Sequence, residues 1–237
     1  MSKLKLDSKK QRIWFVSDLH YGHGKPFIID PRGYKTLKEA MEDTFHKWKQ
    51  YIAPTDIVIN LGDQIVGAGQ NTRQYVFDLL SLPCAHQYFI WGNHNAGMSD
   101  IYTESMKDAG HDANEYNIYP WTLSNYPFTF LGDYAEIIID HQHVVLSHYP
   151  IASWNHVSKG AYMLHGHCHG NLKDDKTLKR LDIGWDWKNR PVEWTEIVRE
   201  LEGRKGVPVD HHGTAKFILN EKSGNSFFED HKDRKDT

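Results

Sequence analysis

Apolar positions along this chain fall alternately into short unbroken runs and helical periods. Ile13-Trp14-Phe15-Val16 is an apolar run that stops at Ser17-Asp18, the form of a strand buried on both faces. Thr36 and Glu39 carry a capping-box signature, and Leu37, Met41, Phe45, Trp48 and Ile52 then recur at helical spacing until Pro54. A second run, Asp56 to Leu61, leads into Gly62-Asp63. Val76, Leu79 and Leu80 predict a helix begun near Asn71 or Thr72, and Tyr88-Phe89-Ile90-Trp91 predicts a third strand that ends at Gly92-Asn93-His94. Strand–helix–strand–helix–strand is the order of a parallel sheet covered by helices.

After about Tyr119 the texture changes. Phe128 to Leu131, Ala135 to Ile139 and Val144 to Leu146 read as short strands with short connections, which predicts antiparallel pairing. Leu181 to Gly184 reads as one further strand, and Trp194, Ile197, Val198 and Leu201 fit a last helix. From Gly203 the chain turns Gly-, Lys- and Asp-rich, with one strand-like island at 216–219. Residues 1–202 are therefore expected to be the folded domain and 203–237 a charged appendage, partly disordered.

Composition narrows the class of protein. A hydrophobic fraction of 39% over 237 residues suffices for a core and excludes global disorder. A net charge of -3 argues against a protein that coats nucleic-acid backbone. Met1 to Arg12 is polar and no apolar run follows it, so neither a secretion signal nor a membrane span is expected. With just Cys84 and Cys168, the chain suits a reducing, cytoplasmic setting. Histidine stands out at 16 residues, and it is both the commonest metal ligand and the usual acid–base group near neutral pH.

Those histidines gather, with carboxylates, where the apolar runs stop: Asp18-Leu19-His20, Asp63 and Asn93-His94. Later, Val144 to Ser147 leads to His148, and Tyr162-Met163-Leu164 leads to His165-Gly166-His167-Cys168-His169. In an open α/β sheet, ligands bind beyond the carboxyl ends of the strands, so these segments are expected to converge. Imidazoles, carboxylates and one amide oxygen suit a pair of transition-metal ions such as Mn, Fe, Zn, Ni or Co, whereas calcium prefers an all-oxygen shell. Two such cations against Asp18 and Asp63 would leave net positive charge to attract a phosphate.

The ordered set Asp18-Leu19-His20, Gly62-Asp63, Gly92-Asn93-His94, His148 and Gly166-His167-Cys168-His169 resembles the calcineurin-like metallophosphoesterase superfamily, over roughly residues 12–187. Its closing segments, with Asp182-Ile183-Gly184-Trp185-Asp186, are most similar to the small bacterial and phage-encoded branch. The resemblance implies a four-layer α/β/β/α sandwich and two divalent ions, manganese first among them. One ion would be held by Asp18, His20, Asp63 and His169, and the other by Asp63, Asn93, His148 and His167. A metal-bridging hydroxide would attack, and His94 would be the general acid. Two positions depart from the pattern: Val66 and Asn95 stand where acidic residues are usual.

Single motifs have ordinary readings: alone, Asp18 could cap a helix and His20 could sit in a surface loop. His23 and Asn95 are taken as substrate contacts, with a solvated loop histidine the rival for His23. His165 is read as packed near the ligands. Cys168, on an extended backbone, would point to the opposite side and pack inertly. Trp14, Trp48, Trp91 and Trp194 fit the core, and His211 and His212 fit solvent. The expected activity is hydrolysis of a phosphodiester or nucleotide-type ester, with a small phosphomonoester second, and a nucleic-acid substrate falls within the first class. A non-catalytic scaffold would have lost ligands or His94, and all are present.

Overall fold

The computed structural model describes residues 4–66, 71–94 and 128–206. Ten strands form two sheets. One runs β10 (Val192–Glu193), β2 (Ile13–Val16), β3 (Ile57–Asn60), β4 (His86–Phe89) and β5 (Phe128–Phe130). The other runs β1 (Leu4–Leu6), β6 (Tyr134–Ile139), β7 (Gln142–Ser147), β8 (Tyr162–His165) and β9 (Arg180–Asp182). The strands alternate their side chains between two apolar layers. Ile13, Phe15, Ile57 and Ile59 meet Ile137, Val144, Leu146 and Leu164 of the other sheet, forming the core of the sandwich. Trp14, Val16, Val58 and Phe89 face outward against helices α1 (Leu37–Tyr51) and α2 (Thr72–Leu80). The far face of the second sheet is covered by Trp154, Val157 and Leu178, around a 3-10 turn at Val157–Lys159. This is the expected α/β sandwich.

Helix α1 begins where the sequence predicts, with the Thr36 side chain accepting the Glu39 N–H. Helix α3 (Trp194–Leu201) lays Trp194, Ile197 and Leu201 into the core between the sheets. The strand-pairing expectation needs correction. β6 and β7 do pair antiparallel, but β5, expected in the same antiparallel set, joins β4 in parallel; β8 with β7 and β9 with β8 are also parallel, and β10 joins β2 antiparallel. The β6–β7 hairpin turns through Asp140 and His141, both at positive φ, the type of turn that matches strand twist.

Packing runs past the expected boundary at 203. Arg204 is buried, with bonds to both carboxylate oxygens of Asp174 at 2.8 and 2.9 Å and to Glu200 at 2.8 Å. The rest of the expected appendage, with the island at 216–219, His211 and His212, lies outside the described residues. Cys84 and Cys168 are both free thiols. Trp14, Trp48 and Trp194 are buried, and Trp91 stacks on Phe130 at 4.5 Å between ring centres. No helix among the described residues is long and apolar enough to cross a membrane.

Candidate metal centre

The carboxyl ends of β2, β3 and β8 are laced together by backbone. The Asp18 N–H donates to Gly62 O, His20 N–H to Asp63 O, and Tyr21 N–H to Gln64 O at 2.7 Å, so the loops after β2 and β3 run side by side. Gly166 N–H donates to His148 O and Trp185 N–H to Ser17 O, tying in the second sheet. Two glycines make this approach feasible. A Cβ on Gly92 would overlap Asp63, and one on Gly166 would overlap Ser17 and Asp18. That is the physical reason a glycine precedes each of these polar segments.

Backbone strain is concentrated here. Asp18, His20, Asp63, His167 and His169 all have φ between 49° and 70°, a region costly for residues with a Cβ. Strain kept at so many neighbouring polar residues is the mark of a functional site.

The side chains converge into two groups. Ligand-type atoms of Asp18, His20 and His169 lie within 4.8 Å of one another, as do those of Asp63, His148 and His167. Asp63 stands between them, with Oδ2 3.8 Å from His20 Nε2 and Oδ1 3.5 Å from His148 Nε2. Asn93 Oδ1 sits 3.0 Å from both His148 Nε2 and His167 Nδ1. All seven expected ligands are therefore brought to one place. The His94 backbone N–H donates to Asp63 Oδ1 at 2.8 Å, and its ring meets His20 edge-on at 5.6 Å. His23 Nδ1 is 3.4 Å from His20 Nδ1. Asn95 and the 67–70 part of the neighbouring loop lie outside the described residues.

The hydrogen-bond pattern decides which imidazole nitrogens are free. His148 Nδ1 donates to Leu61 O at 2.8 Å and His169 Nδ1 to Asp186 Oδ2 at 2.6 Å, so in its neutral form each ring turns a bare Nε2 inward. The Nε2 atoms of His20 and His169 face each other at 3.1 Å. Lone pairs meeting at that distance need a cation or a proton between them, and the donor set fits a divalent transition metal. Ionisation in the protein alone shows the same imbalance. Burial raises the Asp18 carboxyl to about 6 against the pull of His148 and His169, and burial with His169 lowers His20 to about 3. Burial would also raise Asp63, but the hydrogen bond and charge of His148 and the His94 N–H hold it below its ordinary value.

Two residues that the sequence motifs did not single out complete the centre. Burial opposes ionisation of Asp186, yet hydrogen bonds from His169 and Arg32 hold its carboxyl well below the usual range. Arg32 grips Asp186 at 2.7 and 3.0 Å and also donates to the carbonyls of Asp18 and Leu19 at 2.7 and 2.9 Å. It thus clamps the β2 loop to the carboxylate that orients His169. The signal available in the sequence was the segment ending in Asp186; nothing marked Arg32. Asp186→Asn should weaken metal binding at the His20–His169 group by about 10–100-fold, the usual loss when a ligand's orienting partner goes. Metal titration of the variant checks this, and an unchanged affinity would remove Asp186 from the centre.

The sequence matches the calcineurin-like phosphoesterase family over residues 11–234. It is 24% identical to an uncharacterised protein of Methanocaldococcus jannaschii over 203 residues, covering 83% of this chain and 95% of that one. A gene 66 protein of Mycobacterium phage D29 is 26% identical over 208 residues, 80% of this chain and 97% of the phage protein. Among solved structures, a protein of unknown function from Aquifex aeolicus superposes with a TM-score of 0.55 at 19% identity, covering 80% of this chain and 98% of that one.

Proposed function

The chain belongs to the calcineurin-like phosphoesterase family, and on that premise we propose that it hydrolyses a phosphodiester or nucleotide-type phosphate ester at a dinuclear divalent-metal centre. The observation that carries this reading is the position of Asp63, whose two carboxylate oxygens each face a different group of imidazoles. Asp18, His20, Asp63 and His169 would hold one ion, and Asp63, Asn93, His148 and His167 the other. So histidine-rich a set suits manganese, nickel, iron, zinc or cobalt. Such ions, when bound, supply charge stabilisation at the phosphoryl oxygens and an activated water.

The protein's own groups do the positioning. His94 is tied by its backbone to Asp63 while its side chain opens to the cleft, placed to give a proton to the departing oxygen. His23 lines the same cleft, where it faces an incoming phosphate, and Asn95 follows His94 as a further proposed substrate contact. The cleft measures about 850 Å³ and is bordered on one side by Phe27, Ile28 and Pro31, with Phe27 70% exposed. That size fits a nucleotide-like molecule, and the apolar side suits an organic group attached to the phosphate. A small phosphomonoester, the second reading, would leave that side unused.

The test is a substrate screen on chelated protein reloaded with single metals. Activity should vanish with the chelator and return better with Mn, Ni or Co than with Mg, which prefers oxygen ligands and keeps its waters. Bis-nitrophenyl phosphate should be cleaved faster than the mono-ester. Full activity without metal would overturn the dinuclear reading, and a preference for the mono-ester would overturn the choice of substrate.

A further inference from the structure

A third set of metal-binding atoms lies next to the two groups above and takes no part in the chemistry proposed for them. His165 ends β8, Asp182 ends β9, and Cys168 sits in the loop between these strands, flanked by His167 and His169. One ligand-type atom from each lies within 4.8 Å of the others. Among the described residues no hydrogen bond joins the three side chains. Ligands arranged tetrahedrally around zinc, with bonds of about 2.0–2.3 Å, stand about 3.3–3.8 Å apart, so a small adjustment would bring these atoms onto one ion.

The bonding around the three groups leaves their electron pairs unused. Asp182 Oδ1 accepts the Gly184 N–H at 2.8 Å, but Asp182 Oδ2 is buried with no hydrogen-bond partner. A buried carboxylate oxygen without a partner is costly unless a cation lies close by. Arg180, whose charge both His165 and Cys168 feel, gives its Nη1 to Ile151 O instead. The buried His165 donates Nδ1 to Gly166 O at 2.9 Å, which leaves Nε2 as the bare nitrogen. This is the arrangement seen in His148 and His169. The expectation that Cys168 packs inertly rested on an extended backbone, but its neighbours His167 and His169 are left-handed, at φ 70° and 49°. The loop is coiled, and its thiol is turned toward the ends of β8 and β9.

We propose that His165, Cys168 and Asp182 form a separate cation site for a thiolate-preferring metal, zinc in the first instance. A thiolate, an imidazole and a carboxylate make a softer set than the Asp/His/Asn groups beside it, so the two places sort metals differently. Three protein ligands leave a fourth position for water. The ion's role is structural: it fastens the loop that carries His167 and His169 to the ends of two strands. The inference stands on these three residues and does not depend on the dinuclear reading.

Cobalt gives a direct readout, because a cobalt–thiolate bond produces a charge-transfer absorption in the near ultraviolet that nitrogen and oxygen ligands do not. The full chain saturated with Co²⁺ should show that absorption. Cys168→Ser should lose the absorption and one ion, while Cys84→Ser keeps both. Asp63→Asn should keep the absorption while losing the other ions, which separates this site from the dinuclear centre. Absence of the absorption from the cobalt-saturated wild-type protein overturns the proposal without recourse to any variant. So does an absorption that survives Cys168→Ser or disappears with Cys84→Ser.

Discussion

Asp63→Asn should abolish turnover and strip both proposed ions from the centre, a larger effect than that of any other single ligand substitution. The side chain keeps its shape but loses the charge that faces His20 on one side and His148 on the other. Asp18 is aimed differently: both of its oxygens accept the His167 N–H, at 3.1 and 3.0 Å, and its Oδ1 lies 3.9 Å from His169 Nε2. Asp18→Asn and His148→Ala should therefore each weaken mainly one ion. Removing a single electrostatic stabiliser from a reaction site costs roughly 10²–10³-fold in rate, and a group serving two ions should exceed that. The measurement is metal content per chain beside turnover, with thermal unfolding of the metal-free protein to show that the variant folds. Two retained ions with normal turnover would sink the bridging role.

The reach of the sequence can be traced residue by residue. Ile13 to Val16 and Asp56 to Leu61 were legible as strands because parallel strands buried on both faces need unbroken apolar runs. The ligand residues were legible because each stands where such a run stops, and glycines beside them mark close backbone approach. Strand β1 was not legible, since Leu4-Lys5-Leu6 is a partly buried edge strand among lysines. The pairing of β5 was misjudged from its shortness alone. A parallel pair requires a crossover connection, and the segment leading into β5 is long enough to provide one. The tight turn at Asp140-His141 forces the antiparallel pairing of β6 with β7. Arg32 was invisible for a different reason. Its contacts are to two carbonyls and to Asp186, far away in the chain, and no local pattern encodes a clamp closed by tertiary folding.

His94→Asn should distinguish substrates by how much their leaving oxygen needs a proton. An alkoxide or ribose oxygen is a poor leaving group and gains most from an acid, whereas nitrophenolate departs readily without one. General acid catalysis typically contributes about 10²–10⁴-fold, so the variant should lose roughly that factor on an alkyl or nucleotide ester and far less on a nitrophenyl ester. The geometry makes the experiment clean. What ties His94 to Asp63 is its backbone N–H, and its ring touches His20 only edge-on at 5.6 Å, so replacing the side chain leaves the proposed ligands and that tie in place. Metal content should therefore remain that of the wild type, and it has to be measured, because a lost ion would slow both substrates alike. Equal losses on the two esters with the metals in place would end the proton-donor role. His94 would then be a group that positions the substrate.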